Sequence, residues 1–336
     1  MARPPLVRPL TLVAFGGNAL LRPEDLGAVE EQRDRAEAAA GWLADLVAAG
    51  DDLIVVHGNG PQVGQVLIQM EEAATKIPPG TLDLAVAQTE GSMGYLLELA
   101  LRNRLGPAPG SRSGGGPGAL GGEVVTLLTL VLVDAADGAF ERPAKPVGPF
   151  FSRYRAQALR REHGWEMVED AGRGWRKVVP SPRPVAALGL PAMRELLARG
   201  AVVIAGGGGG IPVVRRADGS LAGVEAVIDK DRTAALLARE LRADLLVILT
   251  DVPHVAKNFG KKNEEPLRRL SPPQARRLLA RGQFPPGSMG PKVEAAMEFV
   301  EATGKRALIT DVEHLRQALD GEAGTTISEG AARRSG

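Results

Sequence analysis

The chain has 336 residues, 44% hydrophobic and 24% charged, with 42 Gly, 25 Pro, no Cys and a formal net charge of +1. That length holds one large domain or two with ample core, and the composition is far from that of a disordered chain. The absence of cysteine excludes disulfides, iron–sulfur clusters, thiolate zinc sites and a cysteine nucleophile, and near-neutrality argues against nucleic acid as the main partner. No apolar run reaches the roughly 18 residues of a membrane helix, and Met1–Leu10 has no signal-peptide apolar core, so a cytoplasmic enzyme or binding protein is expected.

Short β-rich apolar runs alternate with helical patterns, which predicts an α/β fold: a three-layer α/β/α sandwich around a mostly parallel sheet. A strand over Thr11–Phe15 runs into Gly16-Gly17-Asn18, and a helix follows over Val29–Ala49. A second strand, Leu53–His57, ends on Gly58-Asn59-Gly60, ahead of helices over Pro61–Ala74 and Leu82–Leu105. Gly106–Gly122 is Gly/Pro/Ser-rich and is expected to be a flexible surface loop. A strand is then expected over Val124–Val133. The stretch Ala135–Pro184 is dense in Pro and aromatics, with a basic helix and a hairpin of Trp165–Glu169 with Trp175–Val179. At about fifty residues it is too long for a connector, and it reads as a small lid subdomain inserted in a single domain spanning 1–336. The remaining elements are helix Pro191–Ala198, strand Ala201–Ala205, helix Asp231–Leu241, strand Leu245–Leu249, helices Pro272–Ala280 and Pro291–Ala302, and strand Arg306–Ile309.

Three glycine-rich turns, Gly16-Gly17-Asn18, Gly58-Asn59-Gly60 and Gly206–Gly210, each follow a strand. At the carboxyl edge of a parallel sheet, glycine lets backbone N–H groups approach an anion, and three such turns together favour a polyphosphate site. Asn18 and Asn59 either cap the following helices or donate to a phosphate oxygen. There is no GxxxxGK[ST], and Gly58-x-Gly60-x-x-x-Gly64 is one residue too long for the dinucleotide fingerprint, which disfavours P-loop and Rossmann readings. Lysines are scarce, nine against 32 arginines, so their placement is informative. Lys230 lies between Asp229 and Asp231, and Lys145 is held in a proline-stiffened loop. Lys292 sits in the first turn of a helix, where a cation is unfavourable unless an anion binds there. Lys177, Lys257, Lys261, Lys262 and Lys305 read as solvated surface charges, and His57 as structural. Lysines and glycine N–H groups are what phosphoryl transfer needs, and an anionic acceptor needs no general base.

The motifs VAFGGNALL, IVVHGNGPQVG, LDLAVAQTEGSMGY, FERPAKPVGPFF, GWRKVVPSPRP, VIAGGGGGIPVV, GVEAVIDKDRTAALLA, LLVILTDV and GSMGPKVEAA occur in this order. Together they resemble the carbamate kinases of the amino acid kinase family over nearly the whole chain. The resemblance implies reversible phosphoryl transfer between MgATP and carbamate, giving ADP and carbamoyl phosphate. It implies that Gly16, Gly17, Asn18, Gly58, Asn59 and Gly60 cradle the transferring phosphate. Lys145 would reach it from the lid, Lys230 and Lys292 would neutralise it, and Asp231 would orient the lysines. On the nucleotide side it implies Gly206, Gly207, Gly208, Gly209, Asp229, Asp251, Met289 and Gly290. Mg²⁺ would be held mainly by phosphate oxygens and water, with Asp229 or Asp231 as further contacts, and the partner would be a second copy, with Leu82–Leu105 a candidate interface. The sequence departs from the pattern at Phe15, where an aliphatic residue is expected, and at Ala256, where an aromatic is expected. Acylglutamate and aspartate kinases usually carry a Lys in the first glycine motif, and Val13-Ala14-Phe15-Gly16 has none.

Overall fold

The structure, a computed structural model, describes residues 8–16, 28–106, 122–170, 174–285 and 287–332. The run Leu10–Phe15 forms β1 with every residue buried, as for a strand covered on both faces. After it come α1 (Val29–Ala48), β2 (Asp52–His57), α2 (Gly60–Ala73) and α3 (Leu82–Leu105), all within a residue of the predicted bounds. Gly17, Asn18 and all but the ends of the Gly106–Gly122 loop lie outside the described residues.

The single strand expected over Val124–Val133 is two, β3 (Val124–Leu127) and β4 (Leu130–Val133), which pair in different sheets. The break has a polar cause. Thr129 donates its N–H to the Glu90 carboxyl at 3.3 Å, and its hydroxyl accepts from Gly206 N–H at 2.8 Å. These bonds interrupt the ladder and pass the chain to the second sheet.

The Pro-rich stretch contains β5 (Lys145–Phe151), α4 (Arg153–His163), β6 (Met167–Glu169) and β7 (Trp175–Val179). Its strands form a separate sheet in the order β5-β7-β6, over a small core of Ala156, Leu159, Trp165 and Met167. Lys177 is not a solvated charge: its ammonium lies 4.0 Å from the centre of the Trp165 ring, a cation–π contact that half-buries it. The unit rests on α2 at a backbone-to-backbone contact, where a Cβ on Gly64 would fall 1.8 Å from Gly148 Cα. The Trp165 indole N–H also donates to Glu71 on α2 at 2.6 Å.

Beyond it run β8 (Pro184–Ala187), α5 (Leu190–Ala198), β9 (Val202–Ala205), β10 (Ile211–Arg215), β11 (Leu221–Gly223) and α6 (Lys230–Leu241). The chain continues through β12 (Leu245–Leu249), the hairpin of β13 (Val255–Lys257) and β14 (Glu265–Leu267), and β15 (Arg269–Leu270). It ends in α7 (Pro272–Ala280), α8 (Met289–Thr303), β16 (Arg306–Thr310), α9 (Leu315–Leu319) and β17 (Thr325–Ile327). The central sheet has the order β15-β17-β16-β12-β1-β2-β9-β3, and its strands are parallel except where β17 meets β16. A second sheet runs β11-β10-β4-β8.

Alternation along the strands builds the three layers. Leu10, Leu12 and Ala14 of β1 join Ile54, Val56, Leu246 and Ile248 in a core covered by α6 and α8. Val13 and Phe15 join Val55 and Val247 in a core covered by α1 and α3. Phe15 is fully buried and meets Trp42 of α1 edge-on at 5.6 Å, so the departure at this position is a matter of packing.

Candidate active site

β12, β1, β2 and β9 are neighbours in the sheet, so their carboxyl ends share one edge. Gly16, Gly58 and Gly206 follow the last three of these strands directly. Ala226, Val227 and Ile228 are fully buried, which anchors the approach to α6. Asp229 then caps that helix, its carboxylate accepting from Asp231 N–H at 3.0 Å.

Three lysines from separate elements converge here. Lys145 of β5 donates to Asp229 at 2.9 Å, Lys230 to one oxygen of Asp231 at 2.6 Å, and Lys292 of α8 to the other at 2.9 Å. The Asp231 side chain is only 4% exposed. Three cations against two anions leave one positive charge unbalanced in a low-dielectric setting. Burial would push both carboxyls up, but Lys145 and Lys230 hold Asp229 well below the usual range, and Lys230 and Lys292 do the same for Asp231. Burial lowers Lys230 to about 8 despite Asp231, with Lys292 adding repulsion. Lys292, equally buried, is raised because Asp231 and Asp229 outweigh that burial. The sequence conflict at Lys292 is thereby resolved: the anion beside it is Asp231, and the cluster as a whole still lacks one.

The glycine run plays a different part from the one its composition suggests. Gly206 N–H donates to Thr129 Oγ1, Gly207 N–H to Glu90 at 2.9 Å, Gly209 N–H to Gly206 O and Gly210 N–H to Gly207 O. Four amides of the turn are therefore spent inside the protein. Its glycines are needed for space and conformation. A Cβ on Gly207 would strike His57 and one on Gly208 Asn59, and one on Gly209 would fall 2.3 Å from Ile228 O. Gly206, Gly208, Gly209 and Gly210 also have positive φ. The turn packs onto α6 through Thr233, whose hydroxyl donates to Gly209 O at 2.7 Å.

Asn59 stands at the N-cap of α2 but makes no capping bond. Its amide donates to Thr89 Oγ1 of α3 at 2.9 Å, and it is buried. Gly58 N–H closes onto Phe15 O at 2.8 Å, Gly60 opens α2, and Gly16 is half-buried at the end of β1. His57 is fully buried and pushed down to about 4 by that burial, which keeps it neutral. Asp251 is exposed in the bend after β12, while Met289 and the buried Gly290 open α8. Ala256 is buried in β13 opposite Pro266. Glu90, Thr89 and Thr129 were not singled out from sequence, although Glu90 interrupts the apolar stripe of Val86, Met93 and Leu97 on α3.

Among the described residues no group of three His, Asp or Glu side chains is placed to hold a metal ion. Asp229 and Asp231 are both engaged by lysines. The donor set therefore does not fit a metal held by the protein itself. No described helix is long and apolar enough to cross a membrane.

The amino acid kinase family matches residues 9–311. A carbamate kinase of Pyrococcus furiosus is 43% identical over 94% of this chain and 98% of its own length. Among solved structures, carbamate kinase from Giardia lamblia bound to citric acid superposes with a TM-score of 0.87 at 37% identity, covering 96% of this chain and 99% of that one. The same enzyme bound to AMP-PNP gives a TM-score of 0.84 at 38% identity with the same coverage. The chain belongs to the amino acid kinase family and, within it, to the carbamate kinases.

Proposed function

We propose that the chain catalyses reversible phosphoryl transfer between MgATP and carbamate, giving ADP and carbamoyl phosphate. The observation that carries this reading is the partly buried five-residue cluster, closed around the buried Asp231, with one unbalanced positive charge at the sheet edge. A phosphoryl group supplies the missing negative charge. In the forward direction a carbamate oxygen forms the new bond to the γ-phosphorus, and the bond from that phosphorus to the bridging oxygen breaks, leaving ADP. Carbamate arrives as an anion, so no proton has to be removed.

Lys230 and Lys292, fixed by Asp231, stabilise charge on the transferring group and the leaving oxygen. Lys145 exchanges its bond to Asp229 for one to the incoming phosphoryl group, which gives the 135–184 segment the role of a lid. Gly16, Gly17, Asn18, Gly58, Asn59 and Gly60 bound the carbamate and transferring-phosphoryl end. Gly206–Gly209, Asp229, Asp251, Met289 and Gly290 bound the nucleotide end, with Gly206 and Gly207 contributing shape because their amides are engaged elsewhere. The bound AMP-PNP of the Giardia relative supports ATP and ADP as ligands. Mg²⁺ would enter on phosphate oxygens and water, with Asp231 kept for Lys230 and Lys292. We also propose a cytoplasmic homodimer, with α3 as a candidate interface because Leu84, Tyr95 and Leu99 are exposed on it.

The test is ATP formation from ADP and synthetic carbamoyl phosphate, run beside acetyl phosphate. Turnover with carbamoyl phosphate well above that with acetyl phosphate is expected. No ATP from carbamoyl phosphate overturns the reading.

A further inference from the structure

The 135–184 segment leaves the body of the molecule and returns to it at one place. β4 and β8 pair there with Val133 opposite Pro184, so the entry and exit necks run side by side. Arg183, immediately before β8, holds both. Its N–H donates to the Asp137 carboxylate of the entry neck at 2.9 Å. Its guanidinium reaches α8, with one nitrogen 3.3 Å from Glu294 and the other on Glu298.

Glu294 grips a second helix as well. It accepts from Arg232 of α6 at 2.9 Å. Arg232 Nε is buried without a hydrogen bond, so among the described residues Glu294 is the one hydrogen-bond partner of that guanidinium. Arg232 follows Asp231, and Glu294 lies two residues after Lys292. Near their starts α6 and α8 are thus joined twice, by Asp231 and Lys292 at the site and by Arg232 and Glu294 toward the neck. A further tie runs from Val227 N–H, on the approach to α6, to Pro180 O of the exit neck at 2.9 Å.

The Arg183 side chain is 51% exposed, and ion pairs this open to solvent contribute little to stability. What they can set is position. Lys145 stands directly opposite Val179 in the pairing of β5 with β7, and Val179 lies four residues before Arg183. A shift of the exit neck therefore reaches Lys145 through one strand pair. Lys230 and Lys292 belong to the two helices that Glu294 joins to this neck.

We propose that Arg183 is a positioning residue for phosphoryl transfer: by clasping the two necks to α8, it fixes where Lys145 stands relative to Lys230 and Lys292. The consequence for catalysis rests on the reading of Lys145 as the contact that the lid makes to the phosphoryl group; the clasp itself does not.

The experiment is a double-mutant cycle of Arg183→Ala with Lys145→Ala in the full chain. Arg183→Ala should lower kcat about tenfold while KM for ADP changes less than about twofold, because the nucleotide end is built outside the segment. In the Lys145→Ala background the same substitution should lower kcat less than about twofold, because the group it positions is gone. Arg183→Lys should recover part of the loss, one ammonium meeting one of the two glutamates. Hydrogen exchange without substrate should run faster in Arg183→Ala over peptides covering 135–140 and 224–229, and unchanged over β1 and β12. A wild-type kcat in Arg183→Ala, or an equal loss with and without Lys145, overturns the positioning role. Unchanged exchange over both neck peptides overturns the clasp. Exchange needs no substrate, so absence of carbamoyl phosphate turnover, which overturns the proposed function, leaves the clasp readable. Should Arg183→Ala fail to fold, Glu298→Gln, which loosens one arm alone, carries the same cycle with a smaller loss of about threefold.

Discussion

Two buried polar regions adjoin at the ends of β1, β2 and β9, and they accommodate burial in opposite ways. Around Asp231, three ammonium groups are paired with two carboxylates. Around Glu90, the carboxyl accepts from the Gly207 and Thr129 amides with no counter-charge among the described residues, and the buried Nε2 of His57 nearby has no hydrogen-bond partner. The first region is charged because each of its carboxylates lies against at least one ammonium group. The second has no counter-ion, and burial pushes its carboxyl up to about 8 although the amides it accepts from pull the other way. Acidity at this site thus depends on what surrounds each carboxyl and not on residue type.

The sharpest way to break that contrast is to replace each acid by its amide. Asp231→Asn leaves Lys230 and Lys292 buried without their shared carboxylate, and breaking a buried pair in this way costs about 3 kcal/mol or more. Urea unfolding at neutral pH should show that loss. Glu90→Gln should do the reverse. The Glu90 carboxyl rises from 4.5 to about 8 on folding, so between these values the folded chain binds a proton that the unfolded chain does not. Wild-type stability then falls as pH rises through this window, a slope that glutamine lacks. The variant should gain on the wild type from acid to neutral pH, by on the order of 3 kcal/mol. Equal destabilisation by both amides at every pH would erase the distinction between the regions.

Removing cations from the charged region should cost catalysis more than stability. Lys145→Ala, Lys230→Ala and Lys292→Ala should each lower kcat by at least about 10²-fold, as expected for losing one contact to a developing charge. Circular dichroism should report an intact fold. Near-wild-type rates for all three would sink the assignment of the cluster.

The charged region was more legible in the sequence than the neutral one. Lys145, Lys230 and Lys292 stood out because lysine is rare in this chain and each sits beside proline, aspartate or a helix start. The helices and most strands of the sheet were legible from period and punctuation, with α3 and α7 matching their predicted bounds. The neutral region was hidden for a physical reason. Its bonds run from side chains to backbone amides distant in sequence, such as Glu90 to Gly207, and glycine composition does not reveal where an amide points. For the same reason the Val124–Val133 run looked like one strand: its continuous apolar pattern says nothing of the bonds that divert the chain at Thr129. Lys177 was misread because a stacking partner twelve residues away leaves no periodic trace.

A smaller effect should follow from the contact that seats the 135–184 segment on α2. Gly64→Ala improves helix propensity by roughly 1 kcal/mol. The new methyl would nevertheless stand 1.8 Å from Gly148 Cα, so helix and strand must part. Lys145 opens the same strand, and kcat should fall about tenfold with KM for ADP changed far less. A wild-type kcat in Gly64→Ala would separate the lid from the chemistry.

The smallest effect is a pH dependence that both regions share and that their chemistry tells apart. Burial lowers Lys230 from 10.5 to about 8, so the free enzyme loses this charge as pH rises past that point. Only the ammonium form stabilises the transferring group, and kcat/KM should therefore fall above about pH 8 by less than tenfold per pH unit. Bound phosphate favours the charged lysine, so the corresponding fall in kcat should lie at higher pH. Glu90 ionises over the same range, and Glu90→Gln separates any contribution it makes. The fall that remains in Glu90→Gln should vanish when Lys230→Arg is added, because guanidinium stays protonated throughout. A fall that persists in the double variant at an unchanged midpoint would mean that neither group sets it, and that the charge surplus at Asp231 is maintained in some other way.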